Sequence, residues 1–200
     1  MNDKTDRHTA LIALALALCM AATRSDHFAG ELHLPDASAA VFFLAGVYLR
    51  PMWIAAALLV EAALIDYAAI ALGGVSSVCI SPAYGFLLPA YGALWLAGRW
   101  YAKTPNKQGR HRLAFSTLLP LAASVVIGGL VSELFSSGGF YFFSGRFEPN
   151  LAEFGARIAR YFPASLATLA FYVGVAAIVP AALGAVGLSG ARDRRALDGN

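Results

Sequence analysis

Six stretches of apolar sequence, each near the length needed to cross a bilayer, follow one another along this chain, separated by short polar or basic segments. Roughly 20 apolar residues at 1.5 Å per residue cover the ~30 Å hydrocarbon core of a membrane. The runs occupy residues 9–23, 37–49, 51–72, 81–101, 113–135 and 158–188. Runs two and three would make one overlong helix without Arg50-Pro51 between them. Proline disfavours helical backbone at the residue before it, and arginine prefers the membrane interface. Run two is short as a result. Composition agrees with the pattern: hydrophobic residues make up 58% of the chain and charged residues 14%, with a mean hydropathy of +0.62. A soluble domain carries about 45–50% and 25%, and one as apolar as this could not cover its own surface. The sequence therefore predicts an all-α integral membrane protein, a single domain over residues 1–200. Its form is a bundle of six transmembrane helices with short tails at 1–8 and 189–200.

Lysine and arginine set the orientation, because they accumulate on the cytoplasmic side of membrane proteins. With the N-terminus inside, Lys4, Arg7, Arg50, Arg99, Lys103, Lys107, Arg110, Arg112, Arg192, Arg194 and Arg195 are cytoplasmic. Arg24, Arg146, Arg157 and Arg160 remain on the other side. That asymmetry requires an even number of crossings and predicts a multi-pass inner-membrane protein with both termini in the cytoplasm. A cleaved signal peptide is the competing reading of the first run, since Lys4 and Arg7 precede a short apolar core. Small residues at Ala13, Ala17 and Ala21 favour a retained helix, because such a stripe lets another helix approach closely. The basic residues form no stripe suited to nucleic acid. No GxxxxGK[ST] loop is present to bind a nucleotide. Two cysteines, Cys19 and Cys79, are too few for a disulfide framework or a cysteine-based structural zinc site.

This topology gathers the varied functional groups into three extracytoplasmic loops. Residues 24–36 carry Asp26, His27, Glu31, His33 and Asp36. Residues 73–80 carry Ser76, Ser77 and Cys79, and residues 136–150 carry Gly138, Gly139, the aromatic block Phe140 to Phe143, and Arg146. A ligand is expected on that side. Carboxylates inside the membrane cost roughly 2.5–3.5 kcal/mol on insertion scales, so each needs a reason. Asp66 lies about 22 Å beyond Pro51 along an outward-running helix, in the outer leaflet. Tyr84 stands near the outer start of the fourth run, Glu133 near the outer end of the fifth, and Arg157 opens the sixth, while Glu61 sits near mid-membrane. Asp66 and Glu133 either serve a ligand or pair with Arg157 or Arg160 and hold helices together.

Cys79 admits three readings. It pairs with Cys19, it is an inert buried thiol, or it is a soft ligand for a transition metal. No second ligand stands at CxxC or HxxxH spacing, and His27 and His33 form no recognised zinc pattern. The aromatic block, flanked by Gly138-Gly139 and Ser144-Gly145, suits either a mobile lid over a large apolar or planar ligand or an interfacial aromatic belt.

Together, six helices, an alanine stripe on the first, no ATPase motif and an outer loop cluster resemble the substrate-binding S components of energy-coupling-factor (ECF) transporters. Within that group the chain resembles the BtuM-type cobalamin S components, through His27, Asp66 and the stretch from Ser76 to Tyr84 that contains Cys79. The resemblance implies that cobalamin is the transported ligand and that the Cys79 thiolate binds its cobalt from one axial side. A corrin leaves only axial positions open, so one protein ligand suffices. It further implies that His27, Asp66 and Tyr84 line the pocket, and that Arg146 or Arg157 meets the corrin's amides or phosphate. By the same resemblance Cys79 helps remove an upper cobalt ligand such as cyanide, and the Ala13, Ala17, Ala21 face docks a transmembrane coupling protein with its ATPases. Two other functions stay open: a membrane thiol enzyme working through Cys19 and Cys79, and an S component for another vitamin.

Overall fold

In the computed structural model the described backbone covers residues 3–24, 34–73, 82–104 and 115–197, and every regular element in it is helical. In order these are α1 (Asp3–Arg24), α2 (Ser38–Tyr48), α3 (Met52–Gly73), a 3-10 turn (Pro82–Phe86), α4 (Leu87–Lys103), α5 (Phe115–Phe143) and α6 (Leu151–Leu197). The elements follow the apolar runs. Among the described residues three helices are long and apolar enough to cross a membrane, over Met52–Ala71, Leu118–Phe143 and Leu151–Ile178. At most 17% of each such window is buried within the chain, and Val60, Leu64, Leu119, Ile127, Phe171 and Ile178 point outward. Water would penalise so much bare hydrocarbon and lipid does not. This surface is compatible with a multi-pass membrane protein.

Helix ends differ from the sequence expectation: α1 already begins at Asp3 within the tail expected at 1–8, and α6 begins at Leu151 and continues to Leu197 through the tail expected at 189–200. Residues 136–143 continue α5 instead of opening a loop, and the connection to α6 is only residues 144–150. The Ser137 hydroxyl donates to the Glu133 carboxylate one turn back. Gly138 and Gly139 lie against Phe154 and Phe86, so the helix gains packing by extending. The chain reverses at Gly145, whose φ of 72° is left-handed backbone that glycine adopts without steric cost.

Helix α2 explains its own shortness. Val41, Phe42, Phe43 and Ala45 are almost wholly buried within the bundle, so α2 serves as core. It runs parallel to α4, backbone against backbone. A Cβ placed on Gly46 would stand 2.1 Å from the carbonyl oxygen of Trp95, and one on Gly98 would stand 2.1 Å from that of Phe43. Small residues are how membrane helices achieve such approach. Toward the other end of the same pair, Phe42 and Tyr91 stack with centroids 4.3 Å apart. Helices α4 and α5 run antiparallel, Gly128 meeting Ala97 and Gly139 meeting Phe86. Helix α6 returns antiparallel along α5, with Leu169 on Gly129. The C-terminal ends of α1 and α3, the starts of α2 and α4 and the 3-10 turn thereby meet at one end of the bundle.

Candidate functional site

Arg24, the last residue of α1, organises that end. Its side chain is 7% exposed, beside an Asp66 side chain that is 27% exposed. Nε donates to Asp66 Oδ1 at 2.7 Å and Nη2 to Oδ2 at 2.7 Å, the two-pronged geometry that matches guanidinium to carboxylate. Nη1 donates to Ser38 Oγ at 2.8 Å and to the Tyr91 hydroxyl at 2.7 Å. Four of the five N–H donors of a guanidinium are thus engaged, by residues of α2, α3 and α4.

The acceptors are held in turn. Asp36 Oδ1 accepts from the Ser38 backbone N–H at 2.9 Å and from its hydroxyl at 2.6 Å, turning the chain into α2. Thr23 Oγ1 accepts from the Ala37 N–H at 3.1 Å and donates to the Cys19 carbonyl at 2.9 Å, which ties the start of α2 to the end of α1. The Tyr84 hydroxyl donates to Asp66 Oδ2 at 2.8 Å. Tyr84 is fixed from the other side as well, because its 3-10 turn rests on Gly139 through Phe86. A Cβ on Gly139 would lie 2.4 Å from the Phe86 Cβ. Gly139→Ala is therefore expected to destabilise the bundle by about 1–3 kcal/mol, read as an earlier midpoint in detergent unfolding.

Next to this network lies a cavity of about 420 Å³, within the range of small-molecule sites. Asp36 and Tyr91 line one side, Glu133 and Ser136 come from α5, and Ser165 and Thr168 come from α6. A smaller cavity of about 280 Å³ shares Ser136 and is lined further by Ser137, Tyr141, Phe154, Arg157 and Tyr161. Here the Arg157 guanidinium stands 4.4 Å from the Phe147 ring centroid and 5.6 Å from that of Tyr141. Ser136 borders both cavities, the larger of which adds the carboxylates of Asp36 and Glu133 with the hydroxyls of Ser165 and Thr168, and the smaller the Arg157 guanidinium. Such a lining suits a ligand rich in neutral hydrogen-bonding groups such as amides.

No family model matches this chain, and comparison with curated proteins gives no significant match.

Several expected site residues take definite places. Asp66 is held by Arg24, and not by Arg157 or Arg160 as the pairing alternative had it. The reason is geometric: α1 and α3 end side by side, whereas Arg157 lies on the aromatic rings of the α5–α6 connection. Both oxygens of Asp66 are engaged by Arg24 and Tyr84, so its carboxylate fixes neighbours. Asp66 and Tyr84 adjoin the larger cavity through Arg24 and Tyr91 without lining it. Arg157 lines the smaller cavity, whereas Arg146 is exposed and lines neither. The aromatic block, read either as a lid or as an interfacial belt, is part of α5, with Tyr141 packed inside and Phe143 56% exposed. Tyr141 is 2% exposed, stacks on Phe147 at 5.2 Å, and donates its hydroxyl to the Glu148 carbonyl. Cys19 carries a free thiol, half-buried against the core. Cys79 and His27 lie outside the described residues. The ends that bracket them, Arg24 and Leu34 for one and Gly73 and Pro82 for the other, belong to this end of the bundle.

Sequence reasoning passed over Arg24 as a partner and counted it only as one of four basic residues on the minority side. An arginine closing an apolar run on the same side as Asp66 was the available signal. Three other arginines lay on the same side, and the sequence did not say which of them Asp66 meets.

Proposed function

We propose that the chain is a membrane-embedded S component that takes up cobalamin through the inner membrane, crossing it six times with both termini in the cytoplasm. In this orientation the Arg24–Asp66 end faces the extracytoplasmic side. One observation carries the reading. The segments that bear His27 and Cys79 leave from and return to the end of the bundle where a fixed network of Arg24, Asp66 and Tyr84 adjoins a hydroxyl-lined cleft. The resemblance of the stretch from Ser76 to Tyr84 supports the same ligand.

The chemistry follows from the corrin. Its four ring nitrogens fill the equatorial positions of cobalt, so the Cys79 thiolate, a soft ligand, takes an axial one. Asp66 holds Tyr84 in place, with His27 contributing from the neighbouring segment. Of the two candidate arginines, Arg157 is the one that meets amides or phosphate, because it lines the smaller cavity, beside Glu153 at 3.9 Å, whereas Arg146 lines neither. Assisted removal of an upper ligand such as cyanide belongs to the same reading of Cys79. A coupling protein with its ATPases would meet the Ala13, Ala17, Ala21 face, where Ala13 and Ala17 pack partly against the core.

The test is an absorption spectrum of detergent-purified protein with and without cobalamin. The expected result is a bound, coloured corrinoid whose spectrum shifts as sulfur replaces its axial base. Cys79→Ser should abolish that shift and weaken retention by tenfold or more. A preparation that stays colourless, or a Cys79→Ser variant with an unchanged bound spectrum, would reject the cobalt–thiolate reading in favour of a thiol enzyme or another vitamin.

A further inference from the structure

Tyr91 holds a donor that the network around it does not use. Its hydroxyl accepts from Arg24 Nη1 at 2.7 Å, so its own proton is left to give away. Among the described residues no acceptor takes that proton. Tyr91 is only 9% exposed, its ring is held in a stack on Phe42, and it lines the larger cavity. A buried donor without an acceptor is costly. The carboxylates of the same cavity have the opposite need. Asp36 Oδ1 is filled by Ser38, whereas Oδ2 takes no hydrogen bond among the described residues and stands 3.9 Å from Arg24 Nη1. Glu133 Oε1 accepts from Ser137, and Oε2 takes no hydrogen bond among the described residues. The Tyr91 hydroxyl and Asp36 Oδ2 flank the same Arg24 nitrogen, at 2.7 and 3.9 Å, so one small group can reach both.

We infer that the larger cavity is a carboxamide pocket that selects amide over acid. In it Tyr91 donates to the oxygen of a ligand's primary amide, and the Asp36 and Glu133 carboxylates accept from the amide N–H groups. An amide offers both kinds of partner, one oxygen and two N–H donors. An ammonium group would suit the carboxylates and leave the Tyr91 proton unused. A carboxylate would suit Tyr91 and meet two like charges. Arg24 does not rescue an acid there, because its charge is already matched by Asp66. The inference rests on the cobalamin reading, since the amides around the corrin supply the group.

The probe is cobalamin compared with derivatives in which one corrin amide at a time is hydrolysed to the acid. Each is titrated at neutral pH against the full-length protein in detergent, and the corrinoid retained is read by its absorbance. The parent should bind at least one monoacid about tenfold more weakly than cobalamin, from one lost pairing and one like-charge contact. Asp36→Asn combined with Glu133→Gln should bring that derivative within about threefold of cobalamin, because the repelling charges are gone. Tyr91→Phe keeps the ring stack and should weaken cobalamin itself by about five- to tenfold. A general loosening of the bundle would weaken every derivative alike, so the ratio of amide to acid reports on the pocket. Equal binding of cobalamin and all the monoacids by the parent overturns the inference. So does a ratio unchanged in the double variant, or a Tyr91→Phe variant that holds cobalamin as tightly as the parent. A parent that binds no cobalamin rejects the ligand and this pocket's amide with it, whereas one that binds without discrimination rejects the pocket alone.

Discussion

Arg24→Ala will destabilise the bundle by about 3 kcal/mol, because removing one partner of a buried ion pair strands the other. Asp66, with a side chain 27% exposed, would be left with the Tyr84 hydroxyl as its remaining partner among the described residues. Ser38 and Tyr91 would lose the donor that ties α2 and α4 to α1. The estimate sits at the lower end of the range for buried pairs because Asp66 is partly accessible. The informative comparison is a double-mutant cycle. Arg24→Ala with Asp66→Ala should cost less than the sum of the single changes, with a coupling of about 2 kcal/mol, since no unpaired charge remains. SDS-titrated unfolding in mixed micelles measures all three. Strict additivity would mean that the two side chains do not share their energy. Under the cobalamin reading the same variants should loosen Tyr84 and weaken ligand retention, even at temperatures where the bundle stays folded.

The second large effect is steric. Gly98→Val will prevent α2 and α4 from meeting as they do, because its Cβ alone would fall 2.1 Å from the Phe43 carbonyl oxygen. That obstacle is backbone, so no side-chain rotation relieves it. Gly46→Val meets the Trp95 carbonyl in the same way. Overpacking in a core typically costs 1–3 kcal/mol where side chains can shift, and here the two helices must part instead. Each variant should exceed 3 kcal/mol and fail to yield monodisperse protein in detergent. Gly92→Ala provides the control, since nothing lies within 4 Å of its added methyl. It should remain close to the parent in stability. A folded Gly98→Val variant with a normal midpoint would show that the α2–α4 contact is not what holds the core.

These two contacts show how α2 works. By length α2 falls short of the helices able to cross a membrane, and by burial it is the centre of the described bundle. Its start is fixed by Asp36 and Thr23, its middle by the Phe42–Tyr91 stack, and its far end by Gly46 against α4. The site network and the packing core therefore share one helix, and damage to either should be felt at the other.

The sequence by itself determined that the described residues are helical, which apolar runs carry the helices and that lipid suits their surface. Hydropathy and proline placement are local properties, and 20 consecutive apolar residues have few ways to satisfy their backbone other than an α-helix. Asp66 and Tyr84 could be singled out on the same basis, as polar groups at a depth where they need a reason. What local pattern cannot carry is adjacency. Whether Asp66 finds Arg24 or Arg157, whether the aromatic block is a loop or the last turn of α5, and which glycines meet a backbone all depend on which helix stands beside which. Tertiary packing decided those points, because a buried charge and a missing Cβ acquire their meaning only from what lies within a few ångströms of them.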